Sequence, residues 1–317
     1  MNNNEDFSTL ENNTTIKIRF RMKQINKLTQ FSLLCVSLMF SAAGLSMQKV
    51  SAPADIIANA PNEHWRKLNP ENTLYLELER GTVIIELNPL LAPLHVENIK
   101  KLAREGFYKN LNIYRFVEGF VAQGGDVTET KKPKVGKLAI KAEFYKTTHT
   151  ELAITLVDDK DGYAKRTGFL NGFSVAQNIH GTQTWQTHCP GTFSMARGDS
   201  ANSGGTEFYV ALGAIRYLDH NITSFGRVIS GMEYILKLDR NPKDDSEASL
   251  KAYNMIKDIK VAADHLKDTP LVIDIMKTDS DSFKELIKAR RNRPEPWFLA
   301  TPNYTDICSV SVPVRKG

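Results

Sequence analysis

Apolar and polar positions alternate from Thr73 to Leu78, and a second apolar run, Val83 to Leu87, follows a short break. A period of two is typical of a half-buried strand, so these runs predict a β-hairpin. After Pro93 the apolar spacing changes to that of a helix, which Gly106 ends. The apolar positions of this predicted helix are Val96, Ile99, Leu102 and Ala103. A hairpin followed by a helix is therefore expected here.

The stretch from Ile113 to Asp126 reads IYRFVEGFVAQGGD and predicts a strand. Alternate residues of a strand share a face, so Arg115 and Gln123 are expected to point the same way. Phe120 is out of phase, and Gly119 is expected to mark a bend or bulge that re-aims its ring. One interpretation is an ordinary arginine that is solvated or salt-bridged at the surface. The other is a surface that gathers a guanidinium, an apolar ring and an amide.

Residues 127–190 are the least regular part of the chain. They contain Lys and Thr runs, a predicted strand from Leu152 to Val157, and a Gly- and Phe-rich segment from Gly168 to Phe173. A loop this long without secondary structure is uncommon in a compact domain, so part of it is expected to be ordered. Regular patterns return after Gly191, with predicted strands at Thr192 to Ala196, Glu207 to Leu212 and Phe225 to Val228, and a helix opened by Gly231 and Met232.

Shorter elements are expected on both sides of this region. They are a helix at His64 to Leu68, strands at Lys257 to Ala262 and Leu271 to Met276, and a β-prone run around Ile307 to Val314. Ser282 and Glu285 have the spacing of a capping box, which predicts the start of a helix that runs through Arg290.

The first 46 residues have the layout of a secretory signal peptide. Five basic residues precede a mostly apolar run from Leu28 to Phe40, and small residues follow at Ser41 to Ala43. The apolar run is short for a membrane span, although an uncleaved anchor is the alternative. We therefore expect an exported protein whose leader is removed.

Removal of this leader takes away five basic and three acidic residues and lowers the formal charge from +5 to about +3. So small a surplus gives no reason to expect a nucleic-acid partner. The apolar fraction of 41% and the charged fraction of 24% are those of a soluble globular protein. The histidines are scattered and no Gly-x-Ser-x-Gly motif is present, so a hydrolase has little support.

Cys189 and Cys308 are the cysteines that remain after the leader is removed. Two cysteines in an exported chain suggest a disulfide between the middle of the fold and the C-terminal tail. The alternatives are two buried free thiols, or a metal site that uses the adjacent His188. The metal site is the weakest alternative, because no CxxC or HxxxH spacing completes a ligand set, so no metal is expected.

Three segments resemble the signatures of the cyclophilin peptidyl-prolyl cis-trans isomerases. They are the stretch from Ile113 quoted above, GTFSMARGDSANSGGTEFYVAL from Gly191, and RYLDHNITSFGRVISGM from Arg216. The resemblance implies a mostly β fold with flanking helices, in which an eight-stranded antiparallel β-barrel is capped by two helices. It also implies a domain order: leader 1–46, N-terminal segment 47–71, barrel 72–240 with an insertion at 127–190, and a C-terminal extension 241–317 packed on the barrel.

By this resemblance Arg115 is the expected catalytic residue, and Gln123 is the amide that holds the peptide backbone. The other positions that match the substrate groove and the proline pocket of the family are Phe120, Val121, Ala196, Arg197, Tyr209, Leu218 and Ile222. Tyr209 stands where the family usually has Phe, so its hydroxyl must find a partner or face solvent.

The resemblance implies an enzyme that accelerates rotation about Xaa-Pro bonds while exported proteins fold. Its clients would be proline-containing polypeptides, and it would be a periplasmic monomer that needs no cofactor and does not stay on the membrane after cleavage. Glu207 replaces a common Gln, Tyr217 a common Trp, and Ile222 the usual His or Tyr. These departures leave an alternative open, in which the chain is a catalytically weak peptide-binding module or chaperone.

Overall fold

The computed structural model describes residues 51–240, 254–268 and 271–316. The predicted leader, 1–46, lies outside the described residues. The described helices are α1 (Pro53–Ala58), α2 (Pro93–Arg104), α3 (Met232–Leu236) and α4 (Asp281–Arg291), and none of them is long and apolar enough to cross a membrane. The described strands are β1 (Trp65–Lys67), β2 (Thr73–Leu78), β3 (Gly81–Leu87), β4 (Leu111–Val117), β5 (Val121–Gly125), β6 (Lys146–Thr147), β7 (Thr155–Leu156), β8 (Arg166–Leu170), β9 (Phe173–Gln177), β10 (Gln183–Gln186), β11 (Thr192–Met195), β12 (Phe208–Ala211), β13 (Ser224–Ser230), β14 (Met255–Val261), β15 (Ile273–Met276) and β16 (Val314–Lys316).

Within the described residues, eight antiparallel strands close into a barrel in the order β11, β12, β5, β4, β14, β2, β3 and β13. Apolar side chains such as Leu76, Ile85 and Phe208 fill its interior and are fully buried. The helices α2 and α3 add Ile99 and Ile235 to the same core. The predicted fold, a mostly β structure built on an eight-stranded antiparallel barrel with flanking helices, is confirmed.

The barrel extends beyond residue 240, where the predicted domain boundary lay. Strand β14 supplies the eighth strand and pairs with both β2 and β4. Its side chains Ile256, Ile259 and Val261 are buried in the barrel core. A short apolar strand is not stable unless it is paired. Since β14 pairs with β2 and β4, it belongs to the barrel rather than to the tail.

Three predictions of short elements are wrong. The β-prone run around Ile307 to Val314 is a 3₁₀ turn at Ile307–Ser309, and strand β16 begins only at Val314. Trp65–Lys67 is strand β1 rather than helix, because it pairs with β15, with Trp65 opposite Met276. The capping box predicted at Ser282 does not start α4. Instead Ser280 is the N-cap, and its hydroxyl accepts a hydrogen bond from the backbone N–H of Phe283 at 3.3 Å.

The insertion forms a sheet of its own. Strands β6, β10, β9, β8 and β7 pair in that order, and only Thr155–Leu156 of the strand predicted at Leu152 to Val157 joins the ladder. Its buried side chains pack with the N-terminal segment and the tail in what we call the second core: Ile56, Trp65, Val157, Phe169, Cys189, Met276, Phe283, Leu286, Ile287, Ala289, Ile307 and Val310. Three separate parts of the sequence therefore complete one apolar cluster.

A disulfide joins Cys189 to Cys308 at the second core, across 119 residues of sequence. Free thiols and a thiolate metal site are both incompatible with this bond. The described residues also contain no group of three or more His, Cys, Asp or Glu side chains that could hold a metal ion. The bond therefore fixes the tail to the end of the insertion.

An ion-pair cluster fastens α2 to the start of β2. Glu71 accepts hydrogen bonds from Arg104 at 2.8 Å and from Lys100 at 3.1 Å. Arg104 also binds Asp264 in the turn that follows β14. The hydrogen bonds from Arg104 lower the pKa of Glu71 from 4.5 to about 2, slight burial opposes them, and Lys100 adds to the effect.

The substitution Glu71→Gln is expected to cost about 0.5–1 kcal/mol of unfolding free energy at pH 7, a modest figure because the side chain is 46% exposed. A carboxylate whose pKa falls on folding stabilises the fold above its unfolded pKa of 4.5, and this contribution is lost as the pH falls towards 2. Denaturant titrations of both proteins at pH 7, 4.5 and 3 should show a shrinking difference. A difference that does not change with pH would exclude the carboxylate as its cause.

Candidate active site

Strands β4 and β5 form a hairpin that places Arg115 directly opposite Gln123. The single strand predicted from Ile113 to Asp126 is therefore two strands, because the chain turns at Gly119, whose φ of 67° suits a residue without a side chain. The two side chains share a face as predicted, but they do so as cross-strand neighbours. The turn also displaces Phe120 from the strand pattern.

Arg115 is exposed at the edge of an aromatic surface. Its Nη1 donates a hydrogen bond to Oε1 of Gln123 at 3.1 Å, and its guanidinium carbon lies 5.5 Å from the centre of the Phe120 ring. The ring of Tyr217 stacks with Phe120 at 6.4 Å between centroids. One amide and one ring thus orient a guanidinium that stays in contact with solvent.

A cluster of apolar side chains lies beside this hairpin, and we call it the apolar pocket. Its buried members, which we call the base, are Val121, Tyr209, Ala211 and Ile215, and its partly buried members, which we call the rim, are Phe120, Ala196, Leu218 and Ile222. The structure therefore brings together all of the apolar side chains that the sequence assigned to a proline pocket. An apolar pocket with a partly exposed rim can accept a small apolar ring.

A half-buried phenol and a carboxylate fix the orientation of the Gln123 amide. Its Nε2 donates to Oε2 of Glu207 at 3.1 Å and to the hydroxyl of Tyr114, which in turn donates to the same carboxylate. Burial and the Glu207 charge both raise the pKa of Tyr114, so the phenol keeps its proton. Since the carboxylate only accepts, the NH₂ group of Gln123 points to Glu207 and its oxygen points to Arg115.

The substitution Glu207→Gln is expected to lower KM for an Xaa-Pro peptide about fivefold, with kcat nearly unchanged. A hydrogen bond to a charged acceptor is stronger than one to a neutral amide by about 1 kcal/mol, so Gln123 becomes freer to donate to a peptide backbone. Steady-state isomerisation kinetics would measure this. Glu129→Gln is the matched control, because Glu129 and Glu207 line one cavity and no hydrogen bond joins Glu129 to Gln123 within the described residues. Equal effects in both variants would point to cavity charge instead.

Arg197 forms one wall of the groove and is already engaged by the backbone. Its Nε donates to the carbonyl of Asn221 at 2.9 Å, and its Nη1 donates to the carbonyl of Gly198 at 2.7 Å. Phe144 of the insertion lies under the guanidinium at 5.6 Å. A cavity of about 440 Å³ opens next to this wall and is lined in part by Gln123, Ala196, Arg197 and Glu207.

Sequence reasoning missed the contributions of Tyr114 and His188. In the sequence His188 stood out only as the neighbour of Cys189. It is buried, and its Nε2 lies 2.9 Å from the hydroxyl oxygen of Tyr209. The one available signal was the Tyr209 hydroxyl itself, which required a partner. No local pattern could show that the partner comes from the end of the insertion.

Comparisons with known proteins all indicate the same class of enzyme. Residues 73–261 match the family model described as cyclophilin type peptidyl-prolyl cis-trans isomerase/CLD. The chain is 32% identical over 189 residues to a probable peptidyl-prolyl cis-trans isomerase of Brucella suis, across 60% of this chain and 82% of that protein. It is 27% identical over 203 residues to peptidyl-prolyl cis-trans isomerase-like 1 of Mus musculus, across 62% and 98%.

Among solved structures, the chain is similar to the cyclophilin AquaCyp293 from Hirschia baltica, with a TM-score of 0.63 and 26% sequence identity. The match covers 80% of this chain and 93% of that one. This similarity extends beyond residues 73–261, which make up 60% of the chain. Part of the structure outside the barrel is therefore shared as well.

Proposed function

The chain belongs to the cyclophilin-type peptidyl-prolyl cis-trans isomerase family, and we propose that it isomerises Xaa-Pro bonds of exported polypeptides with Arg115 as the catalytic residue. The isomerase activity follows from the family, because similar curated members are named as peptidyl-prolyl cis-trans isomerases. In this chain we assign the chemistry to Arg115 and substrate binding to the pocket and groove around it. Proline-containing polypeptides are the expected clients of a monomeric enzyme.

An Xaa-Pro bond isomerises slowly because amide resonance opposes rotation with a barrier of about 18–20 kcal/mol. The barrier falls when the prolyl nitrogen becomes pyramidal and loses its conjugation with the carbonyl. A guanidinium that donates a hydrogen bond to that nitrogen stabilises the twisted state more than the planar one. Arginine suits this role because it stays charged and presents a rigid fork of donors.

The observation that supports this assignment most directly is the exposed guanidinium of Arg115 beside the apolar pocket. Only Nη1 is engaged by Gln123, and no carboxylate of the described residues forms an ion pair with Arg115, so its other N–H groups can reach a bound peptide. The pocket then holds the prolyl ring, with Phe120, Leu218 and Ile222 at its rim. Apolar contact supplies affinity, and the guanidinium supplies the preference for the twisted bond.

The backbone on either side of the proline is expected to bind along the groove. Gln123 and Ala196 lie at its edge, and Arg197 forms its wall. The N–H and C=O groups of an extended peptide need polar partners, which the amide of Gln123 supplies, whereas the pocket is built mainly from apolar side chains. We therefore assign backbone binding to the groove and ring binding to the pocket.

The isomerisation rate of a short Ala-Pro peptide, followed by exchange NMR with and without the purified protein, tests this function. We expect acceleration that saturates with peptide and that an added Ala-Ala peptide, which has no prolyl ring, does not reduce. A folded protein that binds the peptide without accelerating its isomerisation would favour the alternative of a binding module or chaperone.

We also propose that the enzyme works in the periplasm. The basic and apolar leader supports export, although it lies outside the described residues, and the Cys189–Cys308 disulfide supports an oxidising compartment. The intact mass of the protein recovered from the periplasmic fraction without reductant would test both points. We expect a chain that starts near residue 47 and is lighter by two hydrogen atoms than the same chain with two free thiols. A full-length chain in the membrane fraction would instead support an uncleaved anchor.

A further inference from the structure

The hydroxyl of Tyr209 is buried behind the apolar pocket, where it meets His188 of the insertion. The phenol oxygen lies 2.9 Å from Nε2 of His188, and the two rings are nearly parallel, with 22° between their planes. His188 is 0% exposed and Tyr209 is 4% exposed. Burial raises the pKa of the Tyr209 phenol and outweighs a hydrogen bond with the Ser194 side chain, so the hydroxyl keeps its proton. The hydroxyl of Ser224 is also near, at 3.2 Å from the same nitrogen.

The other ring nitrogen of His188 faces Asp219. Nδ1 lies 3.0 Å from Oδ1 of Asp219, and the backbone N–H of His188 donates to the same oxygen at 3.0 Å. Burial alone would raise the pKa of Asp219, but the hydrogen bond from His188 and the charge of Arg216 outweigh it, so this pKa lies below its usual value. An ionised carboxylate only accepts, so Nδ1 carries a proton and Nε2 is left to face Tyr209.

Asp219 is itself held from two sides. Its Oδ2 accepts from Nε of Arg216 at 2.6 Å and from the indole N–H of Trp185 at 3.3 Å. Arg216 extends the network to Asp161 of the insertion at 2.9 Å. The imidazole of His188 therefore cannot rotate without breaking hydrogen bonds on both of its sides.

We propose that His188 is a positioning residue of the isomerase. It holds the Tyr209 ring in the position that leaves room in the pocket for a prolyl ring. This proposal rests on the proposed function of that pocket. Through His188 the insertion also supports the pocket, although none of its residues belongs to the apolar cluster formed by Val121, Ala211 and the rim.

Loss of Nε2 would remove the acceptor that faces the Tyr209 hydroxyl and leave it the side chain of Ser194. A buried hydroxyl that loses an acceptor destabilises the site, unless the ring moves until the oxygen makes a better contact with water or another acceptor. Tyr209 is at the base of the pocket, so such a movement takes up the volume that a prolyl ring occupies. A phenylalanine at this position would have no such need, so the effect of His188 depends on the hydroxyl.

Two substitutions separate the two ring nitrogens of His188. His188→Asn keeps an amide near the position of Nδ1, where it can still bind Asp219, and leaves nothing at Nε2. His188→Gln instead places an amide near the position of Nε2, within reach of the Tyr209 hydroxyl. Each is made in the wild type and in Tyr209→Phe. The dissociation constant of an Ala-Pro peptide is measured by NMR titration, kcat by exchange NMR, and Tm by calorimetry.

We expect His188→Asn to weaken peptide binding about tenfold in the wild type and less than about twofold in Tyr209→Phe, with kcat changed by less than about twofold. His188→Gln should restore binding to near the wild-type value. A residue that only stabilises the fold would lower Tm in both backgrounds and leave the dissociation constant unchanged, which would overturn the proposal. Equal weakening in both backgrounds would overturn it too.

A second measurement does not depend on whether the His188 variants fold. In the wild type, the imidazole ¹⁵N resonances of His188 should shift when the pocket is saturated with the peptide, and the shift should be much smaller in Tyr209→Phe. Unmoved resonances in the wild type would contradict the proposal. A wild type that binds the peptide but does not accelerate isomerisation would defeat the proposed function, and the dissociation constants would still decide the role of His188.

Discussion

Replacing Arg115 with alanine is expected to lower kcat/KM for an Xaa-Pro peptide by about 10²–10³-fold, most of it in kcat. The guanidinium is the charged donor beside the pocket, and its hydrogen bond to the prolyl nitrogen strengthens only as the peptide bond twists. The prolyl ring would still enter the apolar pocket, so KM should change little. Exchange NMR on a short Ala-Pro peptide measures both parameters.

Two further variants identify the cause of that loss. Arg115→Lys keeps the charge but not the planar fork, so it should recover only a small part of the rate. Arg80→Ala, at the turn between β2 and β3, removes another exposed arginine and should leave the rate unchanged. Because Arg115 is exposed, its replacement should not change Tm. Near-wild-type kcat in a folded Arg115→Ala protein would remove Arg115 from the chemistry.

Removal of the Cys189–Cys308 disulfide is expected to lower the free energy of unfolding by about 2–5 kcal/mol and Tm by roughly 5–15 °C. The bond closes a loop of 119 residues, so its loss frees a long stretch of the unfolded chain. It also fixes the tail to the second core, where Ile307 and Val310 are buried. Calorimetry of Cys189→Ala/Cys308→Ala, compared with the oxidised wild type, measures the change.

Reductant provides the control for this experiment. Wild-type protein treated with dithiothreitol should approach the Tm of the double variant, whereas the double variant should not respond. If the variant loses stability but the reduced wild type does not, then lost packing at the two sulfur positions is the cause rather than the bond.

The parts of the fold that could be predicted from sequence are those set by neighbouring residues. The hairpin of β2 and β3 follows from an alternating pattern around a tight turn, and α2 follows from Pro93 and the spacing of its apolar residues. Strand β1 could not be found in this way. It is three residues long and exists because β15, from the far end of the chain, pairs with it.

The same distinction applies to the candidate site. Arg115 and Gln123 belong to one short motif, and they share a face as predicted even though the single predicted strand is a hairpin. The partners that orient them were not predictable, because Glu207 comes from another strand and reaches Gln123 only once the barrel is closed. His188 is a still more distant case, since an irregular segment carries it to Tyr209.

The second core also bears on how the chain matures as it is made. A ribosome releases the N-terminal segment and the insertion first, and these leave Ile56, Val157 and Phe169 without their partners until Phe283 and Ile307 emerge. Contacts between segments so far apart in sequence form late, because each must first close a long loop. The second core is therefore expected to form only after Phe283 and Ile307 have been synthesised, and until then its exposed apolar side chains are a target for chaperones.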